Sequence, residues 1–95
     1  MSQSAKYNAV ITVIGRDRVG IISSVSAVLA KMNVNISDIS QTILQDMFTM
    51  ITLVDTSQIN TSFETLSEEL KALGESMNLE IRIQHADIFN AMQRI

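Results

Sequence analysis

The sequence contains no cysteine, no proline and no tryptophan, and it has a single histidine, His85. The absence of cysteine excludes a disulfide framework and thiolate metal sites. With one isolated histidine, we also expect no metal site and no serine nucleophile activated by a histidine. The sequence therefore predicts a protein that is not an enzyme and that has no catalytic residues, no metal and no cofactor.

Long apolar runs are also missing. No stretch approaches the ~18 residues of a membrane-spanning helix, and the first six residues contain no hydrophobic signal region. We therefore expect a soluble, cytoplasmic protein that does not associate with a membrane.

Basic charge and aromatic side chains are scarce. Ten acidic residues stand against seven basic ones, which gives a net charge of −3, and aromatic residues make up 4% of the chain. Proteins that bind nucleic acid normally carry the opposite charge, and RNA-binding sheets stack bases on aromatic side chains. The composition therefore argues against a nucleic-acid partner.

The remaining composition is that of one globular domain spanning residues 1–95, with 46% hydrophobic residues. Four segments have the composition of strands, with strict alternation in 79–84, and apolar residues recur with helical spacing in three other segments. The predicted strands are 7–14, 36–44, 47–54 and 79–84, and the predicted helices are 20–32, one starting at about 61, and a short terminal one at 87–95.

This order, βαββαβ plus a terminal helix, predicts an α+β ferredoxin-like fold: a four-stranded antiparallel sheet with two helices on one face. The capping-box pattern Thr61-Ser62-Phe63-Glu64 predicts that Thr61 caps the second helix. Gly74 is expected either to loosen the last turn of that helix or to end it.

The first and third strands are apolar on both faces, as in Phe48, Met50, Ile51, Leu53 and Val54. One sheet face would then be a large exposed apolar patch. We expect the terminal helix, another chain, or both to cover it, and we expect a homo-oligomer, most simply a homodimer.

The loop Gly15-Arg16-Asp17-Arg18-Val19-Gly20 joins the first strand to the first helix. A glycine-bearing turn that leads into a helix exposes backbone N–H groups at the positive end of the helix dipole. The N–H groups of Gly20, Ile21 and Ile22 are therefore predicted to hold a small anion such as a carboxylate.

Two motifs together resemble a known family. Gly15-x-Asp17-x-x-Gly20-Ile21 precedes a helix, and Asn33-x-Asn35-Ile36-x-Asp38-Ile39 follows that helix. This succession resembles the ACT domain, the small-molecule-sensing module of amino-acid metabolism, over about residues 7–85. Ile39-Ser40-Gln41-Thr42, Phe48-x-Met50 and the ending Ile88-Phe89-x-Ala91-Met92 are similar to segments of small stand-alone bacterial and archaeal ACT proteins.

The resemblance implies the βαββαβ fold, association of subunits, and a ligand held between subunits beside the first loop and the second strand. Carried over by position, the ligand-binding residues are Asp17, Val19, Gly20, Ile21, Asn33, Asn35 and Ile36. Oxygens of Asp17 and Asn35 would accept hydrogen bonds from the ligand's ammonium group, and Ile36 and a neighbouring chain would shape the space for its side chain.

Structural roles remain open for the same residues. Asp17 alternatively ties down its own loop through an Asx-type hydrogen bond. Gly15 and Gly20 alternatively serve backbone geometry or close packing, and Asn33 alternatively forms a left-handed helix cap. Arg18 and Asn35 mimic the arginine and asparagine that acylphosphatases of this fold use, but the rest of the loop does not resemble theirs.

The sequence thus predicts an allosteric regulatory protein that senses an amino acid or a related small carboxylate at a subunit interface and acts on a partner enzyme or regulator. The alternative is a protein-interaction subunit that docks a partner enzyme without binding a small ligand.

Overall fold

A computed structural model describes residues 7–86 of the chain. The elements follow the order β1 (Ala9–Arg16), α1 (Ile21–Lys31), β2 (Asn35–Leu44), β3 (Met47–Asp55), α2 (Phe63–Met77) and β4 (Leu79–His85). The predicted βαββαβ order is confirmed. The predicted terminal helix at 87–95 lies outside the described residues.

The four strands form one antiparallel sheet in the order β2-β3-β1-β4. The two helices contact each other, and they also pack on the sheet, α1 near β2 and α2 on β4. We call the sheet face toward the helices the inner face and the opposite one the outer face. This is the predicted ferredoxin-like arrangement, in which β2 and β4 are the two edge strands.

The hydrophobic core lies between the inner face and the helices. Alternate residues of β1, such as Ile11 and Val13, point into it because successive side chains of a strand face opposite sides. Helical spacing brings Val25 and Leu29 of α1 into the same core from above. Core burial thus explains why the helices lie on this face of the sheet.

Helix α2 begins one residue later than the capping-box prediction. Its N-cap is Ser62, whose Oγ accepts a hydrogen bond from the Thr65 N–H at 3.0 Å. The prediction that Thr61 caps the helix is therefore wrong. Of the two alternatives for Gly74, the one in which it ends the helix is wrong, since α2 continues through it to Met77 and ends at Asn78, which has a left-handed φ of 59°.

Strand β2 contains an irregularity that matters for the site. Its register against β3 shifts between Ile36 and Asp38, so Ser37 is an extra residue in the ladder. Because side chains alternate along a strand, one extra residue moves all following side chains to the other face. Ile39, Gln41 and Ile43 consequently share the inner face with the buried Thr52, Met50 and Phe48.

Within residues 7–86, neither helix has the length and apolar character needed to cross a bilayer.

Candidate functional site

The loop between β1 and α1 comprises only residues 17–20, and backbone contacts fix both of its ends. The Asp17 N–H donates to the Asp46 carbonyl of the β2–β3 turn at 2.9 Å. Gly20 is the N-cap residue of α1 and has φ 95° and ψ 3°. Because side chains with a Cβ rarely adopt this left-handed conformation, the turn into α1 depends on glycine.

The amino end of α1 has no side-chain cap. The Ser24 N–H bonds the Gly20 carbonyl at 2.9 Å, so the N–H groups of Gly20, Ile21 and Ile22 precede this bond. Such N–H groups carry the partial positive charge of the helix dipole. No acidic residue lies in the first turn to offset that charge.

A surface depression with a volume of about 460 Å³ lies beside this helix end. Its loop and helix side is formed by Asp17, Arg18, Gly20, Ile21, Ile22 and Ser23, and its strand side by Gln41, Ile43 and Phe48. Phe48 is buried, whereas Ile43 is 52% exposed because it lies on an edge strand. The depression therefore combines helix N–H groups, carboxylate and amide side chains, and an apolar wall that is open to solvent.

Four of the predicted site residues, Asp17, Gly20, Ile21 and Ile22, line this depression. Val19 is in the same loop, but its side chain is 97% exposed and projects away from the domain. The structure describes no hydrogen bond that the Asp17 carboxylate accepts from its own loop, so the Asx-type alternative has no contact to support it.

The other predicted residues lie elsewhere. Asn33 and Asn35 line a second depression of about 540 Å³, together with Asp55 and Gln58. This depression is at the opposite end of α1, whose 11 residues extend about 16 Å. Ile36 follows it along β2, half-buried against the core. One chain therefore does not bring the two asparagines to the loop.

Asn33 has an evident structural role. It adopts a left-handed φ of 61° just after α1, and its Nδ2 donates to the Gln58 carbonyl at 2.9 Å. The helix-cap alternative for Asn33 matches this geometry. The side chain of Asn35 is exposed, and no hydrogen bond of its own is described.

Arg16, the last residue of β1, and Arg18 of the loop both have partners outside the depression. Arg16 Nη1 lies 3.5 Å from Asp46 Oδ2, and both side chains are exposed. Arg18 Nη1 donates to the Met77 carbonyl at the carboxyl end of α2, over 3.3 Å. Because Arg18 binds α2 and Asn35 lies beyond the far end of α1, they do not form an acylphosphatase-like pair.

The lone histidine also has a packing role. Its ring stacks on Phe63 with a centroid separation of 4.1 Å and an interplanar angle of 16°. Among residues 7–86, no group of three or more histidine, cysteine, aspartate or glutamate side chains is arranged to hold a metal ion.

Sequence reasoning missed the strand side of the first depression, namely Gln41, Ile43 and Phe48. The segment Ile39-Ser40-Gln41-Thr42-Ile43 does alternate apolar and polar residues, which is the pattern of a strand with one apolar face. That pattern alone did not indicate that the apolar side of β2 faces the helices, because the extra residue Ser37 moves the side chains after it to the other face of the sheet.

Comparisons with known proteins agree with this architecture. A family model described as the ACT domain matches residues 8–84. The UPF0237 protein of Methanopyrus kandleri is 49% identical over 87 residues, which cover 92% of this chain and 97% of that protein. The UPF0237 protein of Clostridium acetobutylicum is 52% identical, over 92% of this chain and 98% of that protein.

A solved ACT domain protein from Streptococcus pneumoniae superposes with a TM-score of 0.75 and 43% identity, covering 87% of this chain and 93% of that one. The predicted resemblance is confirmed: the chain belongs to the ACT domain family, whose members are regulatory domains.

Proposed function

We propose that this protein is a non-enzymatic cytoplasmic regulator that binds an amino acid, or a related small carboxylate, at an interface between two copies of the chain. The observation that carries the proposal is the depression between the uncapped amino end of α1 and the inner side of β2.

The helix end suits the carboxylate of the ligand. The N–H groups of Gly20, Ile21 and Ile22 present partial positive charge without a side-chain cap, and such helix ends bind carboxylates. The Asp17 carboxylate on the rim can accept a hydrogen bond from the ligand's ammonium group.

The strand side suits the rest of the ligand. Ile22 and Ile43 form apolar walls over the buried ring of Phe48, and Gln41 adds one amide. Burying an aliphatic side chain against such walls contributes about 1.5–3 kcal/mol, so we expect the ligand to have an apolar portion.

A second copy would close this depression. Ile39 and Ile43 are exposed on the inner face of β2, and β2 is an edge strand, so a second copy can approach it from the side away from β3. Asn35 lies beyond the other end of α1, so in this proposal the Asn35 that contacts the ligand belongs to the second copy. The same holds for Asn33, Ile36 and Val19.

Regulation would then follow from a population shift. A ligand that contacts two chains stabilises the assembly that holds it, and a partner enzyme or regulator recognises that assembly. A solved chain named for transcriptional repression of the glycine cleavage system supports this role: it is 29% identical with a TM-score of 0.70, and the match covers 83% of this chain and 45% of that one.

Thermal unfolding in the presence of single amino acids and 2-oxo acids tests the proposal. A ligand at a hundredfold excess over its Kd adds about 2.7 kcal/mol of stability, which raises the melting temperature of a domain of this size by about 10–20 °C. We expect such a rise with one ligand class, its loss in Asp17→Ala and Ile43→Ser, and its retention in Glu68→Gln, which changes an exposed residue of α2.

Sedimentation of the same samples tests the interface, and we expect the ligand to increase the dimer fraction. No shift with any candidate, or a protein that stays monomeric at micromolar concentration with the ligand bound, would contradict the proposal.

One observation favours the docking alternative. Leu44 and Met47, beside the β2–β3 turn, are 73% and 49% exposed, and exposed apolar side chains next to each other suit a protein partner. Absence of any ligand shift, together with co-purification of one enzyme that Leu44→Ser abolishes, would select this function.

A further inference from the structure

Strand β4 is one edge of the sheet, and among the described strands it pairs with β1 alone. The Ala86 N–H, just after β4, donates to the carbonyl of Asn8, just before β1, over 2.9 Å. In antiparallel pairing, the backbone groups of successive residues point alternately toward and away from the neighbouring strand. Counting back from Ala86, the N–H and C=O groups of Ile81 and Ile83 therefore point away from β1, to the open side of β4.

A groove lies along this side of β4. It has a volume of about 380 Å³ and separates the strand from α2; Ile81 and Ile83 line it, as do Ser67 and Lys71 of the helix. Neighbouring strands of a sheet lie about 4.8 Å apart, so a strand added to β4 would enter this groove. The shape of the edge thus suits a further strand.

The other edge strand, β2, is protected against such pairing. Its register shifts between Ile36 and Asp38, and Asp38 Oδ1 accepts a hydrogen bond from the Ile39 N–H at 2.9 Å. Bulges and charged side chains at an edge discourage the addition of another strand. By contrast, β4 pairs with β1 without a register shift from Leu79 to His85, and its charged side chains are of opposite sign.

These two charged side chains of β4 project from the outer face. Glu80 and Arg82 are two residues apart and exposed, and Arg82 Nε lies 3.2 Å from Glu80 Oε2. When two copies of β4 pair antiparallel about a two-fold axis at Ile81, Glu80 of each copy lies opposite Arg82 of the other. The strand pair then contains two interchain pairs of opposite charge, which stabilise such pairing.

Other positions of the two-fold axis do not give this match. An axis at Glu80 or at Arg82 places that residue opposite its own copy, and like charges directly opposite each other destabilise a pair of strands. An axis at Ile83 places Arg82 opposite Gln84 and Glu80 opposite Ala86. The charge pattern of β4 therefore selects the axis at Ile81.

We propose that β4 pairs antiparallel with β4 of a second copy about a two-fold axis at Ile81, so that the two sheets join into one. On the inner face, Ile81 lies opposite Ile81 and Leu79 lies opposite Ile83. Such an interface is closed, since each chain contributes the same strand. It differs from the ligand-dependent interface proposed above, which lies at β2 on the opposite edge, so both can form in one assembly.

Charge reversal tests the pairing in the full-length chain without added ligand. Glu80→Arg and Arg82→Glu each place like charges opposite each other in both pairs, so we expect either variant to raise the dissociation constant of the dimer at least about tenfold in sedimentation. The double variant Glu80→Arg/Arg82→Glu exchanges the two charges and should dimerise like wild type. An equimolar mixture of the two single variants should form heterodimers, since opposite charges face each other again.

Glu68→Arg is the control for these variants. It reverses an exposed charge on α2 and changes the net charge as Glu80→Arg does, and it should leave the dissociation constant unchanged. Wild-type protein that stays monomeric at tens of micromolar would overturn the proposal, as would single variants that dimerise like wild type or that stay monomeric when mixed. Because no amino acid is added, failure of ligand-dependent association at β2 does not alter these outcomes.

Disulfide formation tests the register. In the proposed pairing, position 80 of one copy and position 82 of the other form a non-hydrogen-bonded pair with Cα atoms about 4.5 Å apart, which is within the range of a disulfide. The chain has no cysteine of its own. A mixture of Glu80→Cys and Arg82→Cys should therefore form the mixed disulfide at least about tenfold faster than either variant forms a disulfide with itself. Equal rates would contradict the axis at Ile81.

Discussion

Gly74 of α2 lies directly against Leu79 of β4: a Cβ built at Gly74 would be 2.7 Å from the Leu79 carbonyl oxygen. Gly15 of β1 approaches the same residue from the sheet, where a Cβ would be 2.5 Å from Leu79 Cδ2. Two glycines thus let a helix and a strand pack closely around the first residue of β4. The contact also fixes the end of α2, whose Met77 carbonyl accepts the hydrogen bond from Arg18 in the β1–α1 loop.

Replacement of Gly74 by alanine should destabilise the fold. Alanine in a helix interior is favoured over glycine by about 0.5–1 kcal/mol, but overpacking typically costs about 1–3 kcal/mol. Because the obstructing atom is backbone, we expect packing to dominate and the free energy of unfolding to fall by about 1–2 kcal/mol. Urea denaturation measures the change, and Ala72→Gly at an exposed site of α2 isolates the helix-propensity effect. A Gly74→Ala protein more stable than wild type would disprove the close contact.

Substitutions at Gly20 test how backbone conformation, separately from packing, affects the free energy of unfolding. Its φ is 95°, and the nearest atom to a Cβ built there is Ser23 Oγ at 3.9 Å. Gly20→Ala should therefore cost about 1–2 kcal/mol from conformational strain alone. Gly20→Asn should cost less, because asparagine tolerates left-handed backbone better than alanine does. Equal stability of both variants and the wild type in urea would show that α1 starts with a different geometry.

The N-cap of α2 gives a prediction that distinguishes two adjacent residues. Ser62→Ala removes the acceptor for the Thr65 N–H and should lower the free energy of unfolding by about 1 kcal/mol. Thr61→Ala should change it by less than about 0.5 kcal/mol, as for an ordinary surface substitution. The reverse order of the two effects in parallel urea titrations would restore Thr61 as the cap.

Thr61 and Ser62 show why the fold was more predictable than its details. Element order follows from local periodicity, which the chain displays clearly in β4 and α2. Both hydroxyl residues can cap a helix, so sequence alone does not choose between them. The choice depends on contacts distant in sequence: the Asn60 N–H donates to the Met32 carbonyl, and Asn60 Nδ2 donates to the Lys31 carbonyl. These bonds set where the chain enters α2.

The candidate site likewise has one part that the sequence predicts and one part that it does not. Its loop half, Asp17 and Gly20 to Ile22, was predictable because a short glycine-bearing turn and a helix start are local features. Its strand half was not, because Gln41 and Ile43 reach the inner face only through the register shift at Ser37. A shift of one residue exchanges the two faces of a strand, and it is set by pairing with β3 rather than by β2 itself.

Thr52 provides a final prediction, on a polar atom inside the core. Its side chain is 1% exposed, and among residues 7–86 its Oγ1 is the buried side-chain atom that lacks a hydrogen-bond partner. A buried hydroxyl without a partner costs about 1–3 kcal/mol, and valine replaces it with a methyl group of similar shape. Thr52→Val should therefore raise the free energy of unfolding by about 1 kcal/mol. Thr52→Ser, which keeps the hydroxyl and removes the methyl group, should instead lower it by about 1 kcal/mol. A loss of stability in Thr52→Val would mean that Oγ1 has an acceptor or donor in solution, and a search for bound water beside Ile39 and Ile11, its cross-strand neighbours, would then be the next measurement.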